Sequence, residues 1–279
     1  MSSFSIRRME AAEVSKIVDW ARREGWNPGI HDAEIFATAD PRGFFCAEAG
    51  GEMVGGISAV AYDETYGFVG LFIVRPDLRG HQVGLDLAER ALDHLGKRII
   101  GIDGVLAKER QYARFFGFVA AGRNVRFEGR PAGRVTPGLV DARDVPFSDL
   151  SAYDRRHFPA QREGFLRAWI HQPGATALAD TRGGALRGYG VIRPCAVGAK
   201  VGPLFADSPA VAEELFLALC AAAPEGPVYL DTPGDNPRAA RLARAFGMHD
   251  VFATTRMYRG GTPRFAKEEV FGVTTFELG

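Results

Sequence analysis

Cysteine is scarce. The 279 residues hold three, Cys46, Cys195 and Cys220, far apart in the chain. None belongs to a CxxC pair or a Cys/His cluster at zinc spacing, which argues against a disulfide framework and a structural zinc site. The expected state is buried free thiols in a reducing cytoplasm. Charge of one sign is lacking too: Lys plus Arg and Asp plus Glu both total 34. A large basic face for nucleic acid or an anionic membrane is excluded, although a local electropositive pocket is not. No window approaches the ~18 apolar residues of a membrane span. The longest apolar helix candidate, AVAEELFLALCAAA (210–223), carries two glutamates and reads as a core helix. The opening MSSFSIRRMEAAEV lacks the apolar core of a signal peptide. His157, His171 and His249 fall at no ligand spacing, so no metal is expected.

What is present is alternating strand and helix. A composition of 46% hydrophobic and 24% charged residues suits one large globular domain or two ordinary ones. FSIRRM reads as a strand, and EAAEVSKIVDWARREG as a helix through Ala12, Val14, Ile17, Val18 and Ala21. After the turn GWNPG, HDAEIFATA restarts as helix, with Asp32 as its N-cap. GFFCAEAGGEMVGGISAVAYD reads as two strands joined at AGGE, and YGFVGLFIV as a third. A helix ends at Leu95 before Gly96. IIGIDGV is a strand, AKERQYARFF a short helix, and GFVAAGRNVRFEG the closing strands. GRPAGRVTPG (129–138) shifts the composition and marks a boundary, giving units 1–132 and 133–279. The second unit repeats the order, and RFFGFVAAGRNVRF (114–127) matches RAFGMHDVFATTRMY (244–258) in sequence of types. An internal duplication of an αβ unit is the simplest account.

VRPDLRGHQVG (74–84) lies between a strand and a helix. Free N–H groups and the helix dipole make such a turn an anion site, glycines admit a close ligand, and Arg79 adds a charged donor. A plain turn with a solvated arginine accounts for the loop equally well. A GKS or GKT run is missing, so no Walker A loop is present, and no GxGxxG follows the first strand.

RGHQVG resembles the Q/R-x-x-G-x-G/A motif of the GNAT superfamily of N-acetyltransferases. The surrounding FVGLFIVRPDLRGHQVGLDLAERAL looks like that family's fourth strand, pyrophosphate loop and third helix, and ERQYARFFGF like its second cofactor segment. GWNPG, DPRGFF, AYDETYGFVG and IGIDGV are similar to a bacterial tandem-domain branch, the second half matching more loosely. The resemblance implies an α/β fold with two tandem GNAT-like domains, each a mixed twisted sheet flanked by helices. It implies acetyl-coenzyme A as cosubstrate, held by the backbone of Arg79, Gly80, His81, Gln82, Val83 and Gly84, with Phe72, Ile73 and Val74 along the pantetheine arm. Gln82 departs from the motif's first glycine. The second unit's loop, FADSPAVAEEL (205–215), has neither glycine nor arginine, and Asp207 would repel phosphate, so that unit is expected to be degenerate.

Acetylation of an amine requires loss of a proton from a group whose ordinary pKa is about 10.4. The family often places a tyrosine where this chain has Ala113. Tyr112, one residue earlier, is the candidate acid or a packed core residue; a step of one residue turns a helix by ~100°. Asp103 is the candidate acceptor-orienting or deprotonating group, or a turn cap. Trp26, Asn27, His31 and Asp32 flank the turn that lines the acceptor pocket in such proteins, and Trp26 with Asp32 would suit a cationic amine, or fill the core and cap a helix. Glu64 reaches the cleft or stays solvated. His81 is not expected to act as a base. The resulting expectation is a cytoplasmic N-acetyltransferase, monomer or homodimer, acting by direct ternary-complex transfer on a small-molecule amine. The alternative is a non-catalytic acyl-coenzyme A sensor.

Overall fold

The computed structural model describes residues 4–279. The first half runs β1 (Ser5–Arg8), α1 (Ala11–Arg23), α2 (Asp32–Ala39), β2 (Phe44–Ala49), β3 (Glu52–Ala61), β4 (Tyr66–Val74), α3 (Gln82–Leu95), β5 (Ile99–Val105), α4 (Glu109–Phe116) and β6 (Val119–Gly129). The second repeats that order with β7 (Leu139–Asp141), α5 (Phe147–His157), α6 (Glu163–Ile170), β8 (Thr176–Asp180), β9 (Gly188–Pro194), β10 (Ala199–Ala206), α7 (Pro209–Ala221), β11 (Val228–Thr232), α8 (Pro237–Ala245) and β12 (His249–Arg259). A short β13 (Val270–Gly272) and a buried tail follow.

The helices form where apolar residues recur at helical spacing. In α1, Val14, Ile17, Val18 and Ala21 are buried, and a capping box between Glu10 and Glu13 closes the first turn. Each buried Val or Ile contributes roughly 1.5–3 kcal/mol. The expected cap of α2 differs in detail. Asp32 is the first helical residue, behind His31, and its carboxylate accepts the Gly29 amide at 2.7 Å.

The strands form one mixed sheet ordered β1-β2-β3-β4-β5-β12-β6-β11-β10-β9-β8-β7. β4 with β5 and β10 with β11 are its parallel pairs, bridged by α3 and α7. The closing segments GFVAAGRNVRFEG and GMHDVFATTRMYRG do not fold back into hairpins. Each is one strand of 11 residues, β6 and β12, and the two have changed places. β12 pairs β5 of the first half, β6 pairs β11 of the second, and they pair with each other. The sheets of the two units are thereby fused.

The cores are shared as well. α1 and α2 pack with α5 and α6 around Ile17, Phe36, Phe165 and Trp169, so one core spans both halves. α3 covers the other face of the first half through Val83, Leu87, Ala91 and Leu95, and α7 and α8 cover the second.

Candidate active site

β4 and β5 pair only from Tyr66 with Ile99 to Val69 with Ile102, then diverge. A bulge at the divergence puts Leu71 at φ 46°. The Arg75 amide donates to the Val54 carbonyl at 2.9 Å on the β3 side. Alternation along an extended strand then turns the polar groups of Val74 and Phe72 toward the gap, and those of Ile73 toward β3. Of the three residues expected along the pantetheine arm, Ile73 therefore offers no backbone group to the gap, because β3 already pairs with it.

The gap opens into a groove of about 590 Å³ lined by Phe72, Val74, Arg79, Gly80, His81, Gln82 and Gly84, and across it by Lys108, Gln111 and Tyr112. Gly80 sits at φ 82°, a left-handed conformation that explains a glycine at this point. Gln82 is helical and its side chain donates to Asp86 at 2.6 Å, so the missing motif glycine costs no strain. A Cβ on Gly84 would meet nothing nearer than 3.6 Å, so the protein's own packing does not require a glycine there. No side chain caps α3, and its first amides face the groove mouth unpaired. The Arg79 guanidinium is engaged, donating to the Val74 carbonyl at 2.9 Å and to Glu24 at 2.5 Å. Lys108 supplies a cation opposite the loop that sequence reasoning passed over.

Deeper in the gap lies a cavity of about 80 Å³. Trp26, Leu71, Phe72, Phe118, Phe252 and Phe276 give it apolar walls, and Asp103, Tyr112, Arg126, Thr254 and Glu277 its polar groups. Tyr112 reaches both spaces, whereas Ala113 is exposed on α4. The tyrosine ring lies across Gly104, where a Cβ would approach it to 2.8 Å. Burial raises the phenol above its ordinary pKa, so it stays protonated at neutral pH and can donate.

Asp103 is not a free base. Arg256 donates to it at 2.6 and 3.0 Å, Asn124 at 2.8 Å and Thr254 at 3.2 Å. Burial pushes the carboxyl up, and Arg256 opposes that shift. The acceptor residues expected from the α1–α2 turn are likewise committed. Asp32 is fully buried, paired with Arg193 at 2.8 and 3.0 Å, and lines neither space. Against the burial penalty, that arginine holds its pKa below the usual carboxylate range. Asn27 exchanges hydrogen bonds with the Val197 backbone at 2.9 and 3.0 Å. His31 lines neither space, and Glu64 is solvated, 3.6 Å from Arg98. Of that set only Trp26 reaches the cavity. Arg126, Phe252, Phe276 and Glu277 were missed because each lies on a strand or tail brought in by the exchange. Burial raises all three thiols, Cys46 to about 11 and Cys220 to about 12, leaving no thiolate nucleophile near neutral pH.

The matching place in the second half is filled. β13 pairs with β10 inside the β10–β11 gap, and the Val273 amide donates to the Asp231 carbonyl at 2.8 Å. The Ser208 side chain caps α7, accepting from the Val211 amide at 3.4 Å. Asp207 takes a hydrogen bond from Tyr153 at 2.7 Å and pairs with Arg156. The chain's own strand occupies the slot that lies open in the first half.

The first half thus presents a splayed parallel strand pair with an uncapped helix start at the mouth of its groove, and the second half the same plan with the slot filled. The chain belongs to the GNAT acetyltransferases and carries two such domains. The acetyltransferase (GNAT) family model matches residues 10–118, and an acetyltransferase (GNAT) domain model matches residues 150–272. The chain is similar to the holothin acyltransferase of Pseudoalteromonas sp. (strain SANK 73390), 29% identical over 264 residues, 94% of this chain and 90% of that protein. A putative acetyltransferase of Pyrococcus horikoshii shares the fold, with TM-score 0.84 at 24% identity over 100% of this chain and 97% of that one. A tandem GNAT protein from the clavulanic acid biosynthesis pathway superposes with TM-score 0.63 at 14% identity, over 94% and 100% of the two chains.

Proposed function

We propose that the protein is an N-acetyltransferase that moves the acetyl group of acetyl-coenzyme A to the primary amine of a small molecule by direct attack in a ternary complex. Residues 1–132 bind the cosubstrate in this reading, and residues 133–279 close the acceptor cavity. The single observation that carries it is continuity: the uncapped start of α3 opens on the groove where β4 and β5 part, and the cavity lies at that groove's inner end. Amides of residues 80–84 receive the pyrophosphate, with Lys108 adding positive charge across the groove. The gap-facing groups of Phe72 and the Val74 amide hydrogen-bond the pantetheine arm, as a neighbouring strand would. An acetyl thioester supplies an activated carbonyl. Amides at the β4 bulge stabilise charge developing on its oxygen, and Tyr112 donates a proton to the departing sulfur. The tight apolar walls favour a small amine over a polymer side chain, and the reduced thiols suit a cytoplasmic enzyme. No metal takes part in this scheme.

Mixing the protein with acetyl-coenzyme A and an amine panel, and following free thiol, tests the reading. Turnover on at least one amine is expected; tight cosubstrate binding without turnover on any would favour a sensor. Cosubstrate at about 100 times Kd should stabilise the protein by about 2.7 kcal/mol. Gly84→Asp places negative charge at the α3 start and should weaken binding about 100-fold, and Arg79→Ala about tenfold. Unchanged affinity in both variants would remove the loop from the site.

A further inference from the structure

The last residues of the chain are threaded into the cavity of the first half and fastened on both sides of Glu277. The Glu277 carbonyl lies so close to Gly70 that a Cβ there would stand 1.8 Å from its oxygen. The Glu277 amide donates to Thr275 Oγ1 at 3.3 Å, and the Thr275 hydroxyl donates to the Glu277 carboxylate. Phe276 packs beside Phe252, ring centroids 6.3 Å apart, with the Arg126 guanidinium 5.1 Å from its own. Beyond it, the Leu278 carbonyl accepts from the Tyr62 hydroxyl at 2.9 Å and the Gly279 amide donates to the Thr275 carbonyl at 3.0 Å. The Glu277 side chain is thus held at the β4 bulge, 3% exposed as a residue, and it lines the cavity with Tyr112.

Glu277 differs from every other buried acid around it. Asp103 on β5 meets Arg256, Asp231 on β11 meets Arg126, and Asp32 on α2 meets Arg193. Among the described residues, Asp103 and Glu277 are the carboxylates lining the cavity, and Glu277 has no guanidinium or ammonium within salt-bridge distance. Its Oε2 takes the threonine hydroxyl, while Oε1 has no protein partner. The charged and titratable groups around it are Arg126 on β6, Arg193 on β9, Lys200 on β10, Asp231 on β11, Asp103 on β5 and Tyr62 on β3's trailing end. Arg126 and Arg193 are paired with aspartates and the buried Lys200 ammonium has no hydrogen-bond partner, while Glu277, with no ion pair of its own, lines the acceptor space.

We propose that Glu277 is the group that takes the proton from the acceptor amine, which makes the C-terminal tail of the second half a catalytic part of the first. This rests on the transferase reading above. The alkylammonium first gives one N–H proton to the Glu277 carboxylate, which hands it to solvent and leaves a nitrogen lone pair free to attack. The neutral nitrogen forms a bond to the carbonyl carbon as the carbon–sulfur bond breaks; its surplus proton leaves to solvent, and the departing sulfur takes a proton from Tyr112, which solvent reprotonates. The products are an amide, a free thiol and one released proton, and an arylamine, already neutral, skips the first transfer.

The experiment compares wild type with Glu277→Gln and Glu277→Asp, using acetyl-coenzyme A and two acceptors. One is an alkylamine, protonated at neutral pH; the other is an arylamine, already neutral there. Coenzyme A affinity, read by thermal shift, is expected to stay within twofold in both variants. For the alkylamine, Glu277→Gln should lower kcat/KM about 100-fold at pH 7, with activity rising toward the amine's own pKa as pH increases. Its kcat/KM on the arylamine should fall far less. Glu277→Asp should keep the wild-type pH limb at a reduced rate, which holds the test open if the Gln variant does not fold. Equal losses on both acceptors with an unshifted pH profile would assign Glu277 to packing alone and overturn the proposal. Loss of coenzyme A binding in wild type, or no turnover by wild type, would instead remove the transferase reading beneath it.

Discussion

The carboxylates of Asp32, Asp103 and Asp231 are all buried, and each meets an arginine from a distant part of the chain. Removing one partner from such a pair strands the other charge, which costs about 3–5 kcal/mol. Asp32→Asn is therefore expected to lower the urea unfolding free energy by about that amount, with the acceptor KM of the folded protein unchanged, because Asp32 touches neither the groove nor the cavity. A raised KM would return Asp32 to the acceptor site. Tyr112 gives the opposite profile. Tyr112→Phe should cut kcat about 10–100-fold and leave coenzyme A affinity unaltered; wild-type turnover would reduce the residue to packing. Its raised pKa adds a sign. The hydroxyl remains protonated from pH 6 to 9, so steady-state rates should show no limb from Tyr112 in that window.

At the scale of elements, the duplicated halves differ in what enters the gap between their parallel strands. In the first half the gap is open and α3 starts without a cap. In the second, β13 has added itself to β10, clamped by the Asn236 side chain, which donates to the Val270 and Glu268 carbonyls at 2.9 and 3.0 Å. Backbone polar groups at a splayed edge need partners. The second half uses its own strand; we propose that the first uses the pantetheine arm. The segment then continues into the first half's cavity, where Gly70 is the contact point. Gly70→Ala cannot keep that approach. Calorimetry should show a loss of about 1–3 kcal/mol from overpacking, and thiol-release assays a slower transfer step with coenzyme A still bound. Unchanged stability would mean the tail does not rest on β4.

At the scale of the whole molecule, the strand exchange decides whether the halves are separable. Expressed alone, residues 1–132 would carry β6 without its partners β11 and β12, and would leave the far edge of β5 bare. Bare strand edges associate, so each fragment alone should give an aggregated or poorly dispersed NMR spectrum, and co-expression of 1–132 with 133–279 should restore the native one. A well-dispersed monomeric 1–132 would contradict this. Acid should act on the whole molecule too. Asp32 and Asp231 have pKa values below the ordinary carboxylate value when folded. Their stabilisation is complete above that value and is lost as pH falls toward the folded one. The melting temperature should therefore drop steeply below about pH 4, and less steeply in Asp32→Asn. What the sequence settled by itself was local: the 3.6-residue period of α1 and α3, the apolar runs of β4 and β10, the turn at Gly80, and the order of elements that reveals two copies. Those features follow from burying one face of a short segment, so nearby residues are enough to specify them. Only the tertiary structure decided which edge β6 and β12 would join, because an alternating strand satisfies the same pattern against any antiparallel neighbour. It also decided that Asp32 would meet Arg193 and that VFGVTTFELG would end in the opposite half's cavity. Those pairings span most of the chain, and no period in the sequence records a contact made at that distance.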